Sequence, residues 1–182
     1  MEDRLGAVRS GRRGGAVSRP GVTTVGGTPV GEHEALKPNG QQVDYVILTE
    51  EERAKGFVEP VRLSYRHVGI AGPKHALREL TDKEREAYAN VGYVAFEAYP
   101  AGGAALGRYW SREDLDKVGK GCGTVTTMSR PIAETYARTP EFYGGTFCCG
   151  CRTHLPVGKN GEFVWEGTSQ RVGTRAVPPE VA

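Results

Sequence analysis

The chain has 182 residues, a formal net charge of +2 and a mean hydropathy of −0.46, with 38% hydrophobic and 25% charged residues. That length suits one domain with extensions, the polarity limits the core to a modest size, and near charge balance removes bulk electrostatics as a reason to expect nucleic acid. No apolar run approaches the roughly 18 residues of a membrane span, and no apolar stretch follows the early arginines as a secretory signal would require, so neither a membrane partner nor export is expected.

Residues 1–42 hold nine of the 26 glycines, scattered arginines (Arg9, Arg12, Arg13, Arg19) and no Phe, Trp or Tyr. Such a segment buries too little apolar surface to offset its ordering entropy. It is expected to be disordered alone, or to lie as an extended arm along a partner. From Val43 the character changes, and a single α+β domain is expected over 43–174, followed by a tail over 175–182.

Within that domain, 43–48 is β-prone, and Thr49 with Glu52 forms a capping box opening a short helix that Gly56 stops. Residues 61–68 alternate, placing Val61, Leu63, Tyr65 and His67 on one face. Thr81 and Glu84 repeat the capping signal for a helix ending near Gly92. A strand is expected over 93–99, and Ser111 opens a third helix that Gly119 ends. Residues 124–128 are again β-prone. Ser129 is positioned to cap a helix carrying Ile132, Ala133, Tyr136 and Ala137 as one apolar stripe, which Pro140 terminates. Residues 145–147 lead into a cysteine-rich turn, and 162–165 form a last short strand.

All four cysteines lie between positions 122 and 151, with Cys148, Cys149 and Cys151 crowded together and His154 three residues on. Adjacent cysteines make poor disulfide geometry, so thiols on a metal are expected instead. Zinc takes four tetrahedral thiolate or imidazole ligands, and the two residues of a knuckle are commonly separated by two others. Cys148 and Cys151 have that separation, and Gly150 permits the tight turn. Cys122, between two glycines, is the third candidate. Cys149 is expected to be a small buried bystander beside Phe147.

The fourth ligand stays open. His154 is near in sequence, but would crowd three ligands into seven residues. His67 ends an alternating strand, and pairing it with Cys122 makes one half of a ribbon whose other half is Cys148 and Cys151; residues 69–119 must then be an insertion between two ligands. His33 and His75 are given no role.

Patterns for zinc deaminases, metalloproteases, P-loops and dinucleotide binding are all missing. A redox Cys-x-x-Cys normally opens a helix, which Pro156 and the glycines after it disfavour here. Arg130, Arg138, Arg152, Lys159 and Arg171, with Tyr136, Tyr143 and Trp165, could serve nucleic acid. The interspersed Glu134, Glu141, Glu162 and Glu166 favour a mixed-charge surface over aromatic core residues instead.

The stretch from Cys122-Gly123-Thr124 through Ile132-Ala133-Glu134-Thr135-Tyr136-Ala137-Arg138 and Tyr143-Gly144-Gly145-Thr146-Phe147-Cys148-Cys149-Gly150-Cys151-Arg152-Thr153-His154, closing on Glu162-Phe163-Val164-Trp165, resembles small uncharacterised proteins encoded by bacteriophages and prophages. This covers about the C-terminal third, with Tyr65-Arg66-His67 as its upstream part. The resemblance implies a zinc-ribbon-like C-terminal half and no named activity. The expectation is a non-enzymatic protein with a structural zinc, acting in the host cytoplasm or the virion. Its N-terminal arm would dock on a protein partner or virion surface. A zinc-ribbon nucleic-acid-binding or regulatory protein is the alternative.

Overall fold

The computed structural model describes residues 20–98 and 107–176. Residues 1–19 of the expected arm, the end of the strand expected over 93–99 and residues 177–182 of the expected tail lie outside that description. The fold is α+β and is built from short elements. The strands are β1 (Val22–Thr24), β2 (Val46–Leu48), β3 (Ser64–His67), β4 (Leu77–Glu79), β5 (Tyr93–Glu97), β6 (Tyr109–Ser111), β7 (Val125–Thr127), β8 (Gly145–Cys148), β9 (Thr153–Pro156) and β10 (Phe163–Trp165). The helices are α1 (Glu50–Ala54), α2 (Asp82–Ala87), α3 (Arg112–Lys117) and α4 (Arg130–Arg138), with a 3-10 turn over Pro140–Phe142. None of the described helices is long and apolar enough to cross a membrane.

Helix starts follow local chemistry. The Thr49, Thr81 and Ser111 hydroxyls accept from the backbone N–H groups of Glu52, Glu84 and Asp114, and the Glu84 carboxylate accepts in return from the Thr81 N–H at 2.8 Å. Each bond satisfies a donor that the first helical turn leaves without a partner. At α4 the pattern differs from expectation: Ser129 holds the N-cap position, but its side chain makes no capping bond.

The strands form four small antiparallel sheets, β1-β2, β10-β3-β7, β4-β5-β6 and β8-β9. They enclose two separate cores. In the first, Tyr65, Tyr136, Cys148, Phe163, Trp165 and Val172 pack together, uniting the central sheet, α4 and the β8-β9 hairpin. In the second, Trp110 packs with Ile70 and Ala95, and its indole N–H donates to the buried Glu97 carboxylate at 3.0 Å. This second core belongs to residues 69–119, which leave the central sheet after β3 and return before β7.

The neck of this insertion is tightly built. Ile70 bridges Val118 in parallel, with Ile70 N–H donating to Lys117 and Gly119 N–H donating back to Ile70. A Cβ at Gly69, whose φ is +78°, would lie 2.5 Å from the Lys120 nitrogen. One at Gly121 would lie 2.3 Å from the His67 carbonyl oxygen, so both crossing points require glycine. The Arg171 guanidinium clamps the neck by donating to the Gly69 and Gly161 carbonyls.

Two expectations are corrected. Ordered structure begins well before residue 42, since β1 pairs with β2 and Thr24 is buried. Hydrogen bonding accounts for this where apolar content does not. The buried Asp44 carboxylate accepts from the N–H groups of Gly26, Thr28 and Tyr45. Burial opposes its ionisation, but these bonds together hold its pKa below the usual value. In the alternating stretch, Tyr65 and His67 face inward as expected, whereas Leu63 is 48% exposed because it precedes the first ladder pair, Ser64 with Thr127.

Candidate metal centre

His67, Cys122, Cys148 and Cys151 come together at the junction of two hairpin-like units, with one ligand atom from each lying within 4.8 Å of all the others. His67 ends β3, and Cys122 stands three residues before β7, its antiparallel partner. Cys148 ends β8, and Cys151 lies in the turn to β9. The layout is that of a ribbon in which residues 69–119 replace the turn of the first unit.

The distances fit a tetrahedral ion. Arms of about 2.3 Å to sulfur and 2.0–2.1 Å to nitrogen place ligand atoms roughly 3.5–3.8 Å apart. His67 Nδ1 lies 3.3, 3.7 and 3.4 Å from the Sγ atoms of Cys122, Cys148 and Cys151, and the Cys122 and Cys148 sulfurs are 3.5 Å apart. That sulfur separation is far beyond a disulfide bond of about 2.05 Å. All four cysteines are free thiols.

The surroundings hold the ligands in place. His67 Nε2 lies 2.9 Å from Glu162 Oε2, and both side chains are buried. Nε2–H donation to the carboxylate leaves Nδ1 as the lone-pair atom aimed at the sulfurs, the arrangement expected of a metal-bound imidazole and its outer partner. Within the knuckle, the Cys151 N–H points at Cys148 Sγ at 3.5 Å, and Arg152, at φ 55°, turns the chain into β9. A Cβ on Gly150 would lie 2.3 Å from Thr124 Oγ1 and 2.9 Å from Cys122 Sγ, so this position has to be glycine.

The thiols respond to one another. Hydrogen bonding from Thr124, aided by Cys148, holds the exposed Cys122 thiol down to about 6 against partial desolvation. Local desolvation and the adjacent sulfurs push the Cys151 thiol, itself exposed at the knuckle, up to about 12. Sulfurs this close do not all ionise unless a cation shares them, and a divalent metal does so.

His154 is not in this group, which corrects its candidacy as a ligand. β9 carries it away from the knuckle, where its Nε2 lies 3.3 Å from the Tyr45 hydroxyl and its ring 5.3 Å from that of Phe147. Cys149 is also corrected. It is exposed in the turn just past the end of β8, and its N–H donates to Thr126 Oγ1. The pattern in the sequence missed Glu162, which sits 95 positions from His67. A carboxylate just before a β-prone run carries no local sign of that role.

Among the residues considered for nucleic acid, Tyr136 and Trp165 are buried in the first core. Arg130 pairs with Glu134 at 2.8 Å, and Arg171 is spent on the neck carbonyls. Glu134 also binds Arg53, at 3.0 Å. Comparison with protein-family models, curated proteins and solved structures finds no match.

Proposed function

We propose that this chain is a non-enzymatic interaction protein whose ribbon is stapled by a structural zinc ion held by His67, Cys122, Cys148 and Cys151. The carrying observation is the ligand set: four side chains together could fill a tetrahedron around one ion, and the neighbouring Glu162 carboxylate is committed to the far nitrogen of His67. A catalytic zinc keeps one position for water or substrate. Three thiolates with one imidazole also match the soft-to-borderline preference of zinc over calcium or magnesium. The resemblance of the C-terminal third to phage-encoded proteins supports a virion or assembly setting, in the host cytoplasm or the particle. There the protein would work through the surfaces the staple organises.

The test is metal content of purified protein and histidine variants. Wild type and His154→Ala are expected to carry one zinc per chain, and His67→Ala to lose it. His67→Cys restores a four-ligand site and is expected to regain the metal, separating ligation from general misfolding. Zinc absent from the wild type, or lost from His154→Ala alone, overturns the assignment.

A further inference from the structure

The three cysteines of the ligand set differ in their access to solvent. Cys148 is 0% exposed within the first core, whereas Cys122 and Cys151 are exposed. Cys122 stands in the loop before β7 with glycine on either side. Its sulfur rests on the knuckle turn, where a Cβ at Gly150 would lie 2.9 Å from it. The cluster is therefore closed on the side of the core and open on the side of the knuckle. Cysteines sealed inside packing are chemically inert, and Cys122 lacks that protection.

The exposed sulfur also has a neighbour able to bond with it. The Cys122 and Cys148 Sγ atoms lie 3.5 Å apart. A disulfide at about 2.05 Å requires them to close by about 1.5 Å, a small shift for a residue held in a loop. The two cysteines belong to different halves of the ribbon, one on the approach to β7 and the other at the end of β8. A bond between them would keep the halves linked without an ion. A bond from Cys148 to Cys151 would close only the local turn and leave the halves apart.

Access together with an adjacent resolving sulfur separates a reversible thiol sensor from a thiol that is merely damaged, because a sulfenic acid left unresolved goes on to sulfinic acid. Cys149 has the access and lacks the partner. It is exposed and lies outside the ligand set, and its chain neighbour Cys148 makes poor disulfide geometry with it.

We infer that the ligand cluster is also a peroxide-responsive switch, in which exposed Cys122 is oxidised first and buried Cys148 resolves it as a disulfide, with loss of the metal. This rests on the zinc-staple reading above and adds a second state to it. The Cys122 thiolate attacks one oxygen of hydrogen peroxide, the O–O bond breaks, and the departing hydroxide takes a proton from solvent. The Cys148 thiolate then attacks the sulfur of the resulting sulfenic acid, the S–O bond breaks, and the second hydroxide is protonated in turn. Two sulfurs give up two electrons, one peroxide accepts them, and two waters form. His67 and Cys151 remain as two ligands where zinc takes four, so the site no longer holds the ion.

The test is titration of the zinc-loaded full chain with hydrogen peroxide. Released zinc is read with a chromophoric chelator, free thiols with a thiol reagent, and the disulfide by peptide mass mapping. Wild type is expected to release one zinc for every two thiols lost, with the bond mapped to Cys122 and Cys148. A dithiol reductant with added zinc is expected to restore the starting protein. Cys149→Ser is expected to respond as wild type does. Cys122→Asp keeps a ligand oxygen without an oxidisable sulfur, and is expected to release zinc at least about 10-fold more slowly. Mapping in the wild type decides the bond however well the aspartate variant folds.

Zinc-loaded wild type that keeps its metal and thiols in excess peroxide overturns the switch and leaves the staple standing. So does conversion to sulfinic acid with no disulfide. A bond mapped to Cys148 and Cys151, a response lost in Cys149→Ser, or wild-type release rates in Cys122→Asp overturn the part given to Cys122. Wild type that carries no zinc when purified under reductant overturns the staple instead.

Discussion

His67 and His154 each lie against a phenylalanine ring, and their remaining contacts separate them. His67 has one nitrogen facing three sulfurs and the other on a buried carboxylate, whereas His154 meets a tyrosine hydroxyl. Glu162 would therefore act on a bound metal through the imidazole. Glu162→Ala is expected to weaken zinc binding by about 10–100-fold, measured by competition with a chromophoric chelator, with Glu162→Gln falling between it and wild type. Equal affinity in all three proteins would remove Glu162 from the site. The three ligating cysteines were legible in sequence because knuckle spacing is a local property. The choice of histidine was not, since nothing near either residue in the chain distinguishes them.

At the scale of elements, helix starts were well marked because capping bonds span only three residues. The box at α2 is reinforced from outside: Glu84 also receives Arg78 through two bonds of 2.8 Å and the Tyr109 hydroxyl at 3.2 Å. Arg78 first, then the Thr81 N–H, holds the Glu84 carboxyl far below its ordinary 4.5. A depressed folded-state pKa stabilises above the unfolded value and loses that contribution as pH falls through and below it. Amide protection factors in β4 and β5, corrected for intrinsic exchange, are thus expected to fall on acidification below about pH 4.5, with a weaker slope in Glu84→Gln. Thr81→Ala is expected to cost about 1 kcal/mol in urea unfolding at neutral pH. The strands were less legible. β1, β4, β6 and β9 are each three or four residues long, too short for alternation to register, and pairing alone makes them strands.

For the whole molecule, two cores joined at a glycine neck imply two responses to metal loss. The ligands lie on the elements around the first core, with Cys148 itself 0% exposed within it, so removing the ion takes folding energy from that core. Chelation is expected to abolish amide protection in β3, β8 and β10 while β5, in the Trp110 lobe, keeps most of its protection. Uniform loss would show one cooperative unit in place of two.

The residue pattern carried the α+β class, the knuckle, the third cysteine and most helix boundaries, because each arises from interactions within a few residues of chain. The identity of the fourth ligand, the carboxylate behind it and a groove under residues 22–46 depend on chain closure over longer spans. His67 meets Cys122 across 55 positions only because the Ile70–Val118 bridge closes the insertion at its neck. Tyr45 and Tyr65 come to line one groove because the β1-β2 hairpin arches over the stapled sheet. Such contacts carry a loop-closure entropy that local propensity does not encode, and they form only when packing and hydrogen bonds elsewhere offset it.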